Sequence, residues 1–169
     1  MGGAVEYGYA PVEGGGRIAY QVVGDGPLDV LVVPPPVFPV DMMWDEPHVV
    51  RFLDRLSSFC RHVWFDARGT GSSDWISHAE GRLIESHVDD MVAVLDALGW
   101  ERVAIIGLGT PAGVVFAATH PDRTSALVWW RTRPCGLAAA TITRSGCPTP
   151  KSIAGSQQCA TAARRGAWK

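Results

Sequence analysis

The chain has 169 residues, 47% apolar and 19% charged, with a mean hydropathy of +0.08, which leaves room for one globular domain and implies no second. No apolar run approaches the roughly 18 to 20 residues that span a bilayer, so neither a signal peptide nor a membrane helix is expected and the cytoplasm is the default address. The net charge of −2 joins two unlike parts: residues 1–130 hold all 17 acidic and 8 of the 15 basic residues, whereas residues 131–169 hold seven bases and no acid.

Residues 17–23 (RIAYQVV) lie between Gly14-Gly15-Gly16 and Gly24-Asp25-Gly26-Pro27, the signature of a strand bounded by turns; with Tyr7 to Val12 it predicts an antiparallel hairpin. Asp29 to Val33 (DVLVV) is a continuous apolar run stopped by Pro34-Pro35-Pro36, as in a strand buried on both faces. Asp45 is placed to cap a helix with Pro47 in its first turn, and Val49, Phe52, Leu53 and Leu56 form its apolar stripe. A second buried strand, His62 to Asp66, runs into the polar turn Arg68-Gly69-Thr70-Gly71-Ser72-Ser73-Asp74. Val88, Met91, Val92, Leu95 and Leu98 have helical spacing from about Leu83, and Gly99 supplies a left-handed C-terminal cap.

The third strand, Val103 to Ile106, leads into Gly107-Leu108-Gly109-Thr110-Pro111 and a helix through about His120; Ala126 to Trp130 forms a fourth strand. Strand and helix in strict alternation predict a partial doubly wound α/β fold over residues 1–130, a parallel sheet preceded by the antiparallel hairpin. Beyond Trp130 periodicity is lost, and Leu137, Ile142 and Ile153 are the only large branched aliphatics. So little apolar surface does not offset an ordering cost of about 1 to 2 kcal/mol per residue, and residues 131–169 are expected to be a disordered or irregular tail. Its bases are dispersed and lack interleaved aromatics, which argues against a specific nucleic-acid or lipid partner. Cys135, Cys147 and Cys159 stand twelve apart, not at zinc-ligand spacing, and read as incidental thiols; His48, His62, His78 and His87 show no ligand pairing. No metal or cofactor is expected.

The run Phe65-Asp66-Ala67-Arg68-Gly69-Thr70-Gly71-Ser72-Ser73-Asp74 resembles the D-x-R-G-x-G-x-S turn of the α/β-hydrolase fold, and His120-Pro121-Asp122-Arg123 with the ALV strand resembles the segment after that family's nucleophile helix. The resemblance spans roughly Arg17 to Trp130 and implies an α/β-hydrolase core. Trp44-Asp45-Glu46-Pro47, Arg51-Phe52-Leu53 and Phe116 to Pro121 look most like hydrolase domains that actinobacteria fuse to class III nucleotide cyclases.

A serine hydrolase of this fold carries its nucleophile on a strained G-x-S-x-G elbow between strand and helix. The corresponding stretch here is Gly107-Leu108-Gly109-Thr110-Pro111, with glycine in place of serine and proline in place of the closing glycine. Thr110, one position on and without a base, suits helix capping better than attack. The sequence holds no carboxylate side chain after Asp122 and no histidine after His120, so the family's acid and base have no counterpart, and His120 itself suits a surface or capping role. Pro34-Pro35-Pro36-Val37 occupies the oxyanion loop, where Pro35 and Pro36 have no N–H to offer. These departures predict a truncated, catalytically inactive fragment, a pseudoenzyme with no catalytic residue. In the charged turn, Arg68 is expected to bind carboxylates or carbonyls and, with Asp66, Gly69, Gly71 and Asp74, to hold the loop together rather than bind substrate.

Two other functions fit the residues: a non-catalytic module that binds a small apolar ligand or a partner, and a dinucleotide binder using Gly107 to Gly113 as G-x-G-x-x-x-G. The latter lacks the acid expected about 20 residues on. A bare edge along Ala126 to Trp130, carrying Trp129 and Trp130, predicts self-association. The acid-free, cysteine-bearing tail suits GC-rich coding read out of frame. Translating the locus in all frames tests this: hydrolase-like sequence with lid, acid and histidine in a neighbouring frame is the expected finding, and its absence removes the frame-change explanation.

Overall fold

The structure is a computed structural model that describes residues 5–35, 39–75, 83–133 and 136–143, with side chains as far as Trp130. Strands β1 (Val5–Pro11), β2 (Arg17–Val23), β3 (Asp29–Val33), β4 (Arg61–Phe65), β5 (Val103–Leu108), β6 (Thr124–Arg133) and β7 (Gly136–Thr143) form one sheet in the order β1-β2-β4-β3-β5-β6-β7. The central four are parallel; β1 and β2 form the antiparallel hairpin, β2 joins β4 antiparallel, and β7 runs antiparallel to β6. Helices α1 (Pro47–Ser57), α2 (Leu83–Leu98) and α3 (Ala112–Thr119) provide the crossovers.

Because side chains alternate along a strand, the continuous apolar runs of β3 and β5 feed both faces of the sheet. Leu31, Val33, Val63, Phe65, Val103, Ile105 and Leu127 pack beneath Val88, Met91, Val94 and Leu95 of α2 and Phe116 of α3. On the opposite face Val30, Val32 and Trp64 meet Leu53 and Leu56 of α1 and Met43 of a 3-10 helix, Val40–Asp45. The two faces are unequally covered. Leu31, Val33 and Ile105 are fully buried, whereas Ala104, Ile106 and Leu108 of β5 are only partly so, and Phe52 and Trp130 are 43% and 41% exposed.

Three sequence expectations change. Asp45 does not cap α1: the 3-10 turn runs through it, and the extended residue before Pro47 is Glu46, which makes no side-chain cap hydrogen bond. Residues 136–143, expected within an irregular tail, form β7, paired with β6 from Ala126↔Thr143 to Arg133↔Gly136. The backbone explains this, since the unpaired N–H and C=O groups along β6 are satisfied by a returning strand whatever its side-chain pattern. The β6 edge expected to be bare is therefore covered, and the outer strand is β7. The remaining tail, with Cys147 and Cys159, and the segment holding His78 lie outside the described residues, as does Cys135.

Two buried polar clusters fix α1 and the 3-10 helix on the sheet. Gln21 of β2, fully buried, accepts a hydrogen bond from Trp44 Nε1 (2.9 Å) and directs its amide at Met43 Sδ (3.3 Å). His62 of β4, also fully buried, accepts from Trp64 Nε1 at Nδ1 (2.9 Å), while its Nε2 lies 3.0 Å from Ser57 Oγ, which donates to the Leu53 carbonyl (2.8 Å). Indole can only donate, so Nδ1 is the acceptor and the imidazole proton sits on Nε2, donated to Ser57. Beside this cluster Cys60 is buried, its thiol pushed up to about 11 by desolvation and hence unreactive.

Burial lowers the His62 pKa from 6.5 to about 4, with the Leu53 carbonyl opposing the shift. The folded state thus prefers neutral His62: its contribution is fully present above pH 6.5 and is lost as pH falls toward about 4, a change of roughly 3 kcal/mol. Thermal unfolding followed between pH 7 and 4 is expected to show this loss, and His62→Asn to flatten it; an identical slope in the variant contradicts the assignment.

Candidate functional site

The turn after β4 is organised around one carboxylate. Asp66, 3% exposed, accepts Val40 N–H at Oδ1 and Ser72 N–H at Oδ2, both at 2.9 Å, while Ser73 Oγ donates to its carbonyl at 2.7 Å. Burial holds the Asp66 carboxyl above its usual range; the Ser72 and Val40 N–H groups pull it down, and the nearby Asp41 pushes it up. Gly71 (φ +50°) passes so close that a Cβ there would collide with the Asp66 carboxylate, and Gly69 (φ +74°) donates its N–H to the Asp74 carbonyl (3.1 Å). Both glycines occupy backbone conformations that side chains resist.

Arg68 ties this turn to α2. Its Nε and Nη2 reach Asp90 Oδ1 at 2.9 and 2.6 Å, and its backbone N–H donates to Asp90 Oδ2 at 3.1 Å. The Asp90 side chain is fully buried and that of Arg68 is 9% exposed. Asp74, by contrast, is a surface group whose contact with Arg17 Nε (3.3 Å) joins two well-exposed side chains and contributes little. Asp90 escaped the sequence reading because it lies within an amphipathic helix among other acids, with only its i, i+4 register to mark it as inward-facing.

The elbow lies at the carboxyl end of β5. Gly109 has φ +76° and donates its N–H to the Trp130 carbonyl (2.8 Å); Pro111 follows, and α3 starts at Ala112. Small residues allow this close passage: a Cβ on Gly113 would lie 3.1 Å from Ile105 Cγ2, and one on Gly107 3.3 Å from Trp129 Cδ1. At Gly109 a Cβ would meet nothing within 4 Å, so the tip opens onto free space. Thr110 Oγ1 accepts from the Ala112 N–H (3.3 Å) at the start of α3. His120 ends α3, stacked on Phe116 (centroids 4.7 Å apart) with Nδ1 2.8 Å from Thr119 Oγ1.

Above the tip is an open cleft of about 550 Å³. Pro34 and Pro35 form one side; Pro36 and Val37 lie outside the described residues. Val49 and Phe52 of α1, Trp64, Leu108 and Trp130 supply most of the remaining wall, with His48 and the two indole N–H groups as its polar side-chain atoms. No acid, arginine or lysine lines it among the described residues. A phosphate-cradling use of the glycine-rich turn gains no support here, because the Gly109 N–H is already committed and no cation lines the cleft among the described residues. Among the described residues no group of three or more His, Cys, Asp or Glu is placed to hold a metal ion, and no helix is long and apolar enough to cross a membrane.

No family model matches the chain. It is 38% identical over 88 residues to the proposed carbamate hydrolase RutD of Caulobacter sp., covering 48% of this chain and 32% of RutD, and 40% identical over 79 residues to RutD of Caulobacter vibrioides, covering 43% and 29%. Among solved structures, an epoxide hydrolase variant from Vigna radiata superposes with TM-score 0.60 at 25% identity, covering 74% of this chain and 38% of its own. A hydrolase from Pseudomonas aeruginosa gives TM-score 0.62 at 23% identity, covering 72% and 44%. The sheet and its crossovers are thus those of the α/β-hydrolase fold. The chain spans about a third of the length of the curated relatives it matches.

The turn's energetics are testable. Removing one partner of the buried Arg68–Asp90 pair, as in Asp90→Ala, is expected to cost about 3 to 5 kcal/mol, whereas Arg68→Met with Asp90→Leu together should cost much less. Gly71→Ala should destabilise by at least about 2 kcal/mol through the Asp66 collision and the left-handed backbone. Urea unfolding of the three variants checks both, and a loss below about 1 kcal/mol for Asp90→Ala contradicts the assigned role.

Proposed function

We propose that this chain is a hydrolase-fold protein without hydrolase turnover. The observation that carries the reading is Gly109: the backbone bends as a nucleophile elbow requires, yet the residue at its tip has a hydrogen where covalent catalysis needs an oxygen or sulfur. Thr110, the neighbouring hydroxyl, is engaged with the first turn of α3. An acid and a histidine brought from elsewhere would still find no group at the tip to activate. Pro34 and Pro35 add a second deficit, since Pro35 has no N–H with which to stabilise a developing oxyanion.

Ester or carbamate hydrolysis, suggested by the names of the relatives, is accordingly not assigned to this chain. The narrower likeness to cyclase-linked hydrolase domains rests on residues with packing roles: Trp44 holds Gln21, Pro47 opens α1, and Leu53 and Phe116 are fully buried. They support a shared packing scheme, and a cyclase association remains part of our proposal only in that sense. We also infer a cytoplasmic address, and a boundary after about residue 130 where hydrolase-like sequence gives way to the acid-free tail.

Purified protein incubated with p-nitrophenyl butyrate is expected to release p-nitrophenol at the buffer rate, before and after Thr110→Ala. Turnover well above buffer that disappears in Thr110→Ala overturns the proposal.

A further inference from the structure

We propose that the cleft over Gly109 is a binding site for a small, flat, uncharged aromatic molecule, gripped by Phe52, Trp64 and Trp130 and offered one hydrogen bond by His48. The inference rests on the preceding reading of the elbow as lacking a nucleophile, and extends it by naming what that space holds.

The cleft's size and place come first. About 550 Å³ lies within the range of small-molecule sites, roughly 300 to 1,000 Å³. It opens where β3 and β5 end, beside Trp130 of β6, at the rim of an α/β sheet where connecting loops leave room for ligands. The missing side chain at position 109 adds depth at the floor, since nothing stands within 4 Å of a Cβ built there.

The wall chemistry then selects the ligand. Three aromatic rings reach the cleft from three separate elements, and Phe52 and Trp64 stand nearly perpendicular, at 89° with centroids 6.2 Å apart. Phe52 and Trp130 each keep more than 40% of their surface in water although they flank a concavity. An inserted ring removes that apolar area from water and finds faces and edges of complementary polarity.

Polar capacity is nearly used up. Trp64 Nε1 is bonded to His62, the Gly109 N–H to Trp130, and the two prolines carry no N–H. His48 and the indole N–H of Trp130 are left as the polar side-chain groups, and no acid, lysine or arginine stands among the described lining residues. An ionised ligand would surrender hydration against walls that are mostly apolar, so the described lining favours an uncharged one.

Calorimetric titration of the full chain with 2-naphthol and 2-naphthoate tests the proposal. The expected result is one saturable 2-naphthol site per chain, with naphthoate at least about tenfold weaker. Phe52→Ala and Trp130→Ala, both at half-exposed positions, should each weaken 2-naphthol roughly tenfold, whereas Trp75→Ala, at a ring 87% exposed and outside the cleft wall, should change nothing. The contrast between alcohol and carboxylate needs no variant, so it stands even if a truncation impairs folding. Unsaturable uptake, equal affinity for naphthoate, or an equal loss in Trp75→Ala overturns the site. Incubation with 2-naphthyl acetate separates the two proposals: release of naphthol contradicts the absence of turnover and leaves the site standing, whereas no release together with no 2-naphthol binding removes the site alone.

Discussion

The Asp66 carboxylate is the constraint on which the arrangement of this molecule depends. It sits at the end of β4 and is bonded to backbone N–H groups from two directions: Val40, which begins the 3-10 helix leading to α1, and Ser72, within the glycine turn. Ser73 extends the clamp, donating to the Asp66 carbonyl and accepting from Ala19 N–H of β2 at 2.8 Å. Two residues on, Arg68 locks the same turn to α2. A carboxylate taken out of water is costly, and here the cost is offset by hydrogen bonds that happen to join four elements. Loss of this clamp would loosen the 3-10 helix, whose Met43 lines one side of the cleft.

The sheet built on this clamp is asymmetric. On one face α2 and α3 bury Leu31, Val33, Ile105 and Leu127 as a continuous core; on the other α1 covers β3 and β4 but leaves Ile106, Leu108 and Trp130 in part open. Parallel strands with apolar residues on both sides are stable when both sides are covered. The open half-face and the elbow tip are contiguous, which gives an apolar hollow bounded by aromatic rings. In the proposed reading, binding draws on the shape of that hollow and its apolar walls.

Much of the fold was legible in the sequence, because parallel strands announce themselves as short apolar runs between turn residues: DVLVV, HVWF, VAII and ALVWW all became strands, and the stripe of Val88, Met91 and Leu95 became the buried side of α2. Gly99 takes the left-handed cap that its position suggested (φ +66°). What was illegible depended on partners distant in sequence or on backbone alone. Nothing in the sequence set Asp90 apart from the neighbouring acids; its role depends on Arg68, 22 residues away. His62 was expected in a buried strand, but its partners Ser57 and Trp64 were not readable from it. The β7 ladder had no side-chain signature, since Gly136–Thr143 pairs through its main chain. The cleft was likewise unreadable, because Phe52, Trp64 and Trp130 meet only after three crossovers.

The central claim is that the elbow persists without a group able to form a covalent bond. Exposure of the folded chain to a fluorophosphonate, followed by intact-mass measurement, addresses it without any assumption about substrate. The account predicts an unchanged mass; a stoichiometric adduct mapped to Thr110 or another elbow residue would contradict it.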